Sequence, residues 1–128
     1  MVTEAFLESA LQALKEEILS ELHVALPGIV RAYDPATRTA DVQPALRRET
    51  ADGEILTAPL LRRVPVYLPD PSRLIQPGEE CLLIFADSSL DGWMAAGAPA
   101  LPDPPRAHAL SDAFAFVGFW SAPRAGAE

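Results

Sequence analysis

At 128 residues, with a net charge of −8 and 13 prolines, the chain has one domain's length and a composition that favours short strands and shaped loops over long helices or a wide parallel sheet. An acidic surface of that kind repels a phosphate backbone, which sets nucleic-acid binding aside. The lone Cys81 cannot close an intrachain disulfide, and no stretch approaches the roughly 20 apolar residues of a membrane span.

The first segment, residues 1–22, predicts an amphipathic helix from Thr3 to Leu22. Leu7, Leu11, Leu14, Ile18 and Leu22 recur at spacings of four, three, four and four, which aligns them on one stripe. Thr3 fits an N-cap, and Glu4 and Glu8 suit the positive end of the helix dipole. The same two glutamates stand where a signal peptide would be basic or apolar, so the chain is expected to fold in a cytosol. Pro27-Gly28 lies just beyond the helix end. The stripe either packs on the chain's own domain or reaches a partner. A leading helix outside a small barrel has little intramolecular surface to bury against, so the five stripe residues are the candidate interface.

From Gly28 the apolar period changes to two, with Ile29, Arg31 and Tyr33 alternating with Val30 and Ala32. Asp34-Pro35-Ala36-Thr37-Arg38 predicts a turn. A second strand follows from Thr39 to Arg48, with Pro44 marking an edge or bulge. Ala51-Asp52-Gly53-Glu54 predicts a hairpin turn, because Asp-Gly supplies positive φ readily. A third strand starts at Ile55, is interrupted at Pro59, and resumes bent from Leu60 to Leu68. Pro69 to Ser72 is loop. Glu79 to Ala86 is a fourth, nearly all-apolar strand, expected to be central. Asp87 to Pro105 reads as a long connection, Ala113 to Trp120 as the fifth strand, and Ser121 to Glu128 as a frayed tail. Short strands with early hairpins and a long gap before the last one suit a small Greek-key barrel, of which the OB fold is the leading member.

The chemistry of a catalytic centre is hard to assemble from these residues. His23, His108 and Cys81 lack ligand spacing for zinc, and no Gly-x-Ser-x-Gly elbow occurs. Asp87 and Asp91 flank Ser88-Ser89-Leu90, where carboxylates cap turn amides more readily than they form a glycosidase pair. Arg106, His108 and Asp112 are expected to form a side-chain hydrogen-bond cluster fixing the loop into the last strand; a proton relay is the rival reading. Trp93 is expected to pack at the barrel mouth beneath the long connection. Arg47, Arg48, Arg62 and Arg63 fall on the second and third strands with Tyr67 the only aromatic, too little stacking for single-stranded nucleic acid. They read as a polar rim or as charge partners for an acidic neighbouring chain. The expectation is a non-enzyme.

One run carries a resemblance. It reads Gln76-Pro77-Gly78-Glu79-Glu80-Cys81-Leu82-Leu83-Ile84-Phe85-Ala86-Asp87, then Asp91-Gly92-Trp93, then Arg106-Ala107-His108-Ala109-Leu110-Ser111-Asp112-Ala113. In that order it resembles the N-terminal OB domain of the central spike, or membrane-piercing, proteins of contractile-tailed phages, from roughly His23 to Trp120. The resemblance implies a mainly β protein: a five-stranded OB-fold Greek-key barrel over residues 23–120, between the helix at 1–22 and a tail at 121–128. It implies an architectural role for Pro77, Gly78, Phe85, Asp87, Trp93, Arg106, His108 and Asp112. It further implies a homotrimer in the virion, at the tail baseplate, assembled in the host cytoplasm and attached to the hub at the end of the tail tube. Contact with the host outer membrane on injection would follow.

Fuller spike proteins continue into a triple-stranded β-helix, and in several the tip holds iron through His-x-His. No His-x-His occurs here, so no metal or other cofactor is expected, and either a separate protein supplies the tip or this chain caps the hub without piercing. The alternative is a soluble OB module that binds oligosaccharide or single-stranded nucleic acid. A tail-associated cell-wall hydrolase is a third reading, and it lacks a catalytic set.

Overall fold

Thr3 opens the first helix by accepting the Phe6 N–H on its hydroxyl at 3.1 Å, and α1 then runs from Glu4 to Glu21. Leu22 is extended and ends the helix. The computed structural model describes residues 3–70, 72–102 and 106–125. Residues 1–2 of the expected helical segment, Pro71, residues 103–105 of the long connection and residues 126–128 of the expected tail lie outside the described residues.

β1 spans Ala25–Asp34, so Pro27-Gly28 lies within a strand and does not form a helix-ending turn. Its reason for being glycine is space. A Cβ on Gly28 would stand 2.6 Å from Val42 Cγ1 and 3.0 Å from Leu83 Cδ1, across the barrel interior. The turn after β1 is held by Asp34, whose carboxylate accepts the Ala36 N–H at 2.9 Å. β2 spans Thr39–Pro44 and stops there, where the sequence pointed to one strand reaching Arg48. Instead β3 (Arg47–Glu49) pairs only with β4 (Ile55–Thr57), forming a two-stranded hairpin separate from the barrel sheet. Gly53 closes that hairpin at φ +83, as an Asp-Gly turn requires.

Pro59 separates β4 from β5 (Leu61–Tyr67). Pro77-Gly78 then launches β6 (Glu80–Phe85), with Gly78 at φ +94 donating its N–H to the Val30 carbonyl at 2.7 Å. The connection that followed contains a helix the pattern did not show, α2 (Asp91–Ala96), ended by Gly97 in the left-handed conformation. β7 covers Ala113–Val117 and stops short of Trp120, because Gly118 turns the chain at φ +108. A short helix, α3 (Ala122–Ala125), stands where a frayed tail was expected.

The five long strands close a barrel in the order β1-β2-β5-β7-β6, with β6 returning to β1. Every pairing is antiparallel except β5 with β7. The last strand therefore inserts between the third and fourth barrel strands, the Greek-key arrangement of an OB fold. Alternation along each strand sends Val30, Val42, Leu83, Ala115 and Cys81 inward, and all five are essentially inaccessible to water. Burial pushes the Cys81 thiol up to about 11, so it stays protonated and packs as a small hydrophobe. The outward positions of β7 carry Phe114 and Phe116, the latter against Tyr67 with ring centroids 5.4 Å apart.

Gly28→Val is expected to lower stability by about 1–3 kcal/mol, since Val42 is fully buried and stiff and cannot yield to the added methyls. A denaturant midpoint unchanged from wild type would show that β1 and β2 part at this crossing without loss.

Candidate functional site

Asp112 lies at the entry to β7 with no solvent exposure. Arg106 reaches it with Nε to Oδ2 at 2.9 Å and Nη2 to Oδ1 at 2.6 Å, a two-point fork matched to a carboxylate. The same guanidinium donates to both Asp91 oxygens, at 3.2 and 3.3 Å, and to Ser89 Oγ at 3.1 Å. Asp112 Oδ1 also accepts the Leu90 N–H at 3.1 Å. One cation thus fixes the loop after β6, the start of α2 and the start of β7. The Arg106 hydrogen bonds hold the Asp112 carboxyl below the usual carboxylate range, against the opposing push of burial. The hydrogen bonds that Arg106 donates to Asp112 and Asp91 raise its already high value further. Neither group then trades protons near neutrality, and the pair acts as a lock.

This corrects several expectations. The capping carboxylate on the Leu90 amide is Asp112, not its near neighbours in sequence: Asp91 is turned to Arg106, and Asp87 is exposed. Trp93 sits on α2 over the outward Phe114 ring, centroids 6.1 Å apart and about half exposed, not at the barrel mouth. Arg47 and Arg48 belong to the separate hairpin, and of the four arginines expected on the second and third strands Arg62 and Arg63 alone lie on a barrel strand. Phe85 is in the core.

His108 stands apart from the Arg106–Asp112 cluster. At φ +47 it turns towards the other end of the chain, placing Nδ1 3.2 Å from the His23 carbonyl oxygen, while its own carbonyl accepts the His23 N–H at 3.1 Å. The His23 ring rests against Phe85, with centroids 5.7 Å apart, and the next carbonyl, Val24, accepts the Phe85 N–H at 3.0 Å. The short link between α1 and β1 is therefore fixed by the loop that Arg106 locks. Sequence reasoning gave His23 no role, because its partner is 85 positions away. It also passed over Glu79, a buried carboxylate paired with Arg73 that accepts the Gln76 N–H at 2.6 Å and so braces the Pro77-Gly78 turn.

Beyond that link α1 stands clear of the barrel. Leu7, Leu11, Leu14 and Ile18 are each 49–57% exposed, and Leu22 is only somewhat more covered at 40%. A groove of about 840 Å³ opens beside the last turn of α1, between the start of β1, the β3–β4 hairpin and the segment after Arg106. Leu22, Leu46, Leu56 and Leu110 line it, and Arg47 and Arg48 border it. A larger cleft, about 1140 Å³, lies among the β1–β2 turn, β5 and α2. There Asp41 accepts the Arg63 N–H at 3.2 Å and pairs with Arg62 at 3.5 Å, and Arg63 adopts φ +54. Among the described residues no group of three or more His, Cys, Asp or Glu side chains could hold a metal ion.

A closed five-stranded barrel in this order, its crossing loop pinned by a buried ion pair, defines an OB-fold protein. Residues 26–118 match the family described as phage protein Gp138 N-terminal domain. The chain belongs to that family. The matched stretch runs from the start of β1 to just past β7, so it covers the barrel and leaves α1 outside. No curated protein matches the chain.

Asp112 is depressed in the folded state, so its contribution is complete above the unfolded value of about 4 and is lost as pH falls through the lower folded value. Asp112→Asn is expected to cost about 2 kcal/mol at pH 7, since it removes the charge-assisted fork while Asp91 still pairs with the partly exposed guanidinium. Denaturant unfolding from pH 7 down to pH 2 should show the gap to wild type narrowing below about pH 4. A gap that stays constant over that range would mean the carboxylate charge contributes nothing.

Proposed function

We propose that the chain is a structural component of the phage virion, an OB ring at the tail baseplate associated with the central spike at the end of the tail tube. Its work is architectural, not catalytic, and serves penetration of the host envelope. The observation that carries this reading is the family match over the barrel, taken with a helix outside the match whose apolar stripe its own barrel leaves uncovered. The motif resemblance to spike OB domains covers the same stretch and supports it. A stripe of that kind is buried by assembly, with itself or with the hub above it. Three copies around the tail axis would close a cyclic ring and leave no contact open to polymerise. The fully bonded loop lock suits a part that must keep its shape under load.

Sedimentation equilibrium at micromolar concentration is expected to give a trimer, and Leu14→Asp to give a monomer whose barrel amides stay protected from hydrogen exchange. A wild-type monomer throughout that range would overturn the ring. Antibody labelling of purified virions is expected at the far end of the tail, and virions without this chain would overturn the virion role.

A second reading is favoured by one observation, the positive φ of Arg63 on the wall of the larger cleft, since backbone strain of this kind gathers at binding sites. That cleft occupies the place where OB folds take oligosaccharides, and Tyr33, Arg62 and Arg63 line it. Glycan-array binding that is lost in Arg63→Ala would support a carbohydrate ligand; no binding to any glycan would remove this reading.

A further inference from the structure

We infer that the apolar groove beside the end of α1 is the seat for α1 of a second copy of this chain, so that copies join helix to groove, head to tail. The inference rests on the self-association proposed above and says where that contact is made.

The groove cannot be filled by the chain's own helix. Leu19 and Leu22 from the last turn of α1 already form part of its wall. The link that would have to bend is His23–Val24, fixed from both sides by His108 and by the Phe85 amide. With no slack there, the stripe of Leu7, Leu11, Leu14 and Ile18 is left uncovered by its own barrel and remains half exposed. The groove meanwhile presents apolar side chains to water: Val24 is 66% exposed and Leu46 57%. An uncovered apolar helix face and an uncovered apolar groove on the same molecule are the two halves of a heterologous contact.

Charge selects the same pairing. Described residues of α1 carry Glu4, Glu8, Glu16 and Glu17 against Lys15 alone. Arg47 and Arg48 border the groove, both are exposed, and neither forms an ion pair among the described residues. An acidic helix laid in the groove brings carboxylates to these guanidiniums. The opposite arrangement, a central bundle in which three α1 helices meet stripe to stripe, would gather their acidic flanks together and leave the groove and both arginines uncovered.

Two substitutions at exposed positions separate the arrangements. Leu14→Asp spoils the helix, and Leu46→Asp spoils the groove; neither side chain belongs to the barrel core, so the amides of β1, β6 and β7 should stay as protected from exchange as in wild type for both. Each variant alone is expected to sediment as a monomer. Mixed in equal amounts they should form a 1:1 dimer, because the intact helix of the Leu46→Asp chain meets the intact groove of the Leu14→Asp chain. Growth stops there, since no second intact pair remains. Exchanging both Arg47 and Arg48 for Glu should raise the wild-type dissociation constant about tenfold at low salt. If Leu46→Asp still forms trimers while Leu14→Asp does not, the helices bundle with one another: the seat is wrong and the self-association reading stands. A mixture that stays monomeric also overturns the seat. Wild-type protein that is itself monomeric overturns both.

Discussion

A carboxylate cut off from water must be balanced where it lies, and for Asp112 the balance comes from the Arg106 fork and the Leu90 amide. That single requirement fixes the path of the longest connection in the barrel. Ser89 and Asp91 are drawn to the same guanidinium, which seats the start of α2, while Asp112 fixes where β7 begins. β7 can then run beside β5 in the only parallel pairing of the barrel and close it against β6. Two residues after Arg106, His108 is held at positive φ with its ring and carbonyl both on His23. The direction in which α1 leaves the barrel is thus set by an ion pair near the other end of the chain.

The barrel itself is closed by small and branched side chains at short range. Val30, Val42, Leu83 and Ala115 meet inside, and Gly28 leaves room for them to do so. None of the described α1 side chains belongs to this core. An isolated helix of about this length is marginal in water even with a good N-cap, so α1 needs a surface to cover its stripe. Its own barrel does not provide one. The fold therefore separates two tasks: a self-sufficient barrel, and a projecting helix whose stability depends on what it meets.

Much of this was legible in the sequence. The 3.6-residue stripe marked α1, the Asp-Gly pair marked the β3–β4 turn, and the apolar run after Pro77-Gly78 marked β6, because each is governed by neighbours a few residues apart. The failures share a different origin. α2 is a single short helix with no stripe, and Asp91-Gly92 at its start reads locally as turn. Pro44 marks a disruption on sequence grounds, but nothing near it in sequence shows that the chain leaves the barrel there for a separate hairpin. At the site, Arg106 and Asp112 stand six residues apart and could be paired on paper. The reach of His108 to His23, and of Arg106 back to Ser89, depends on the course of the loop in space. No pattern of spacing encodes it.

We propose that α1 is held by a neighbouring copy and not by its own barrel. Hydrogen exchange of the backbone amides, followed as protein concentration is raised through the association range, tests this most directly. Amides of α1 should exchange quickly at the lowest concentration and become protected as association proceeds, while those of β1, β6 and β7 stay protected throughout. Protection of α1 that is already complete in the dilute monomer, and unchanged by concentration, would contradict the account and return the helix to its own domain.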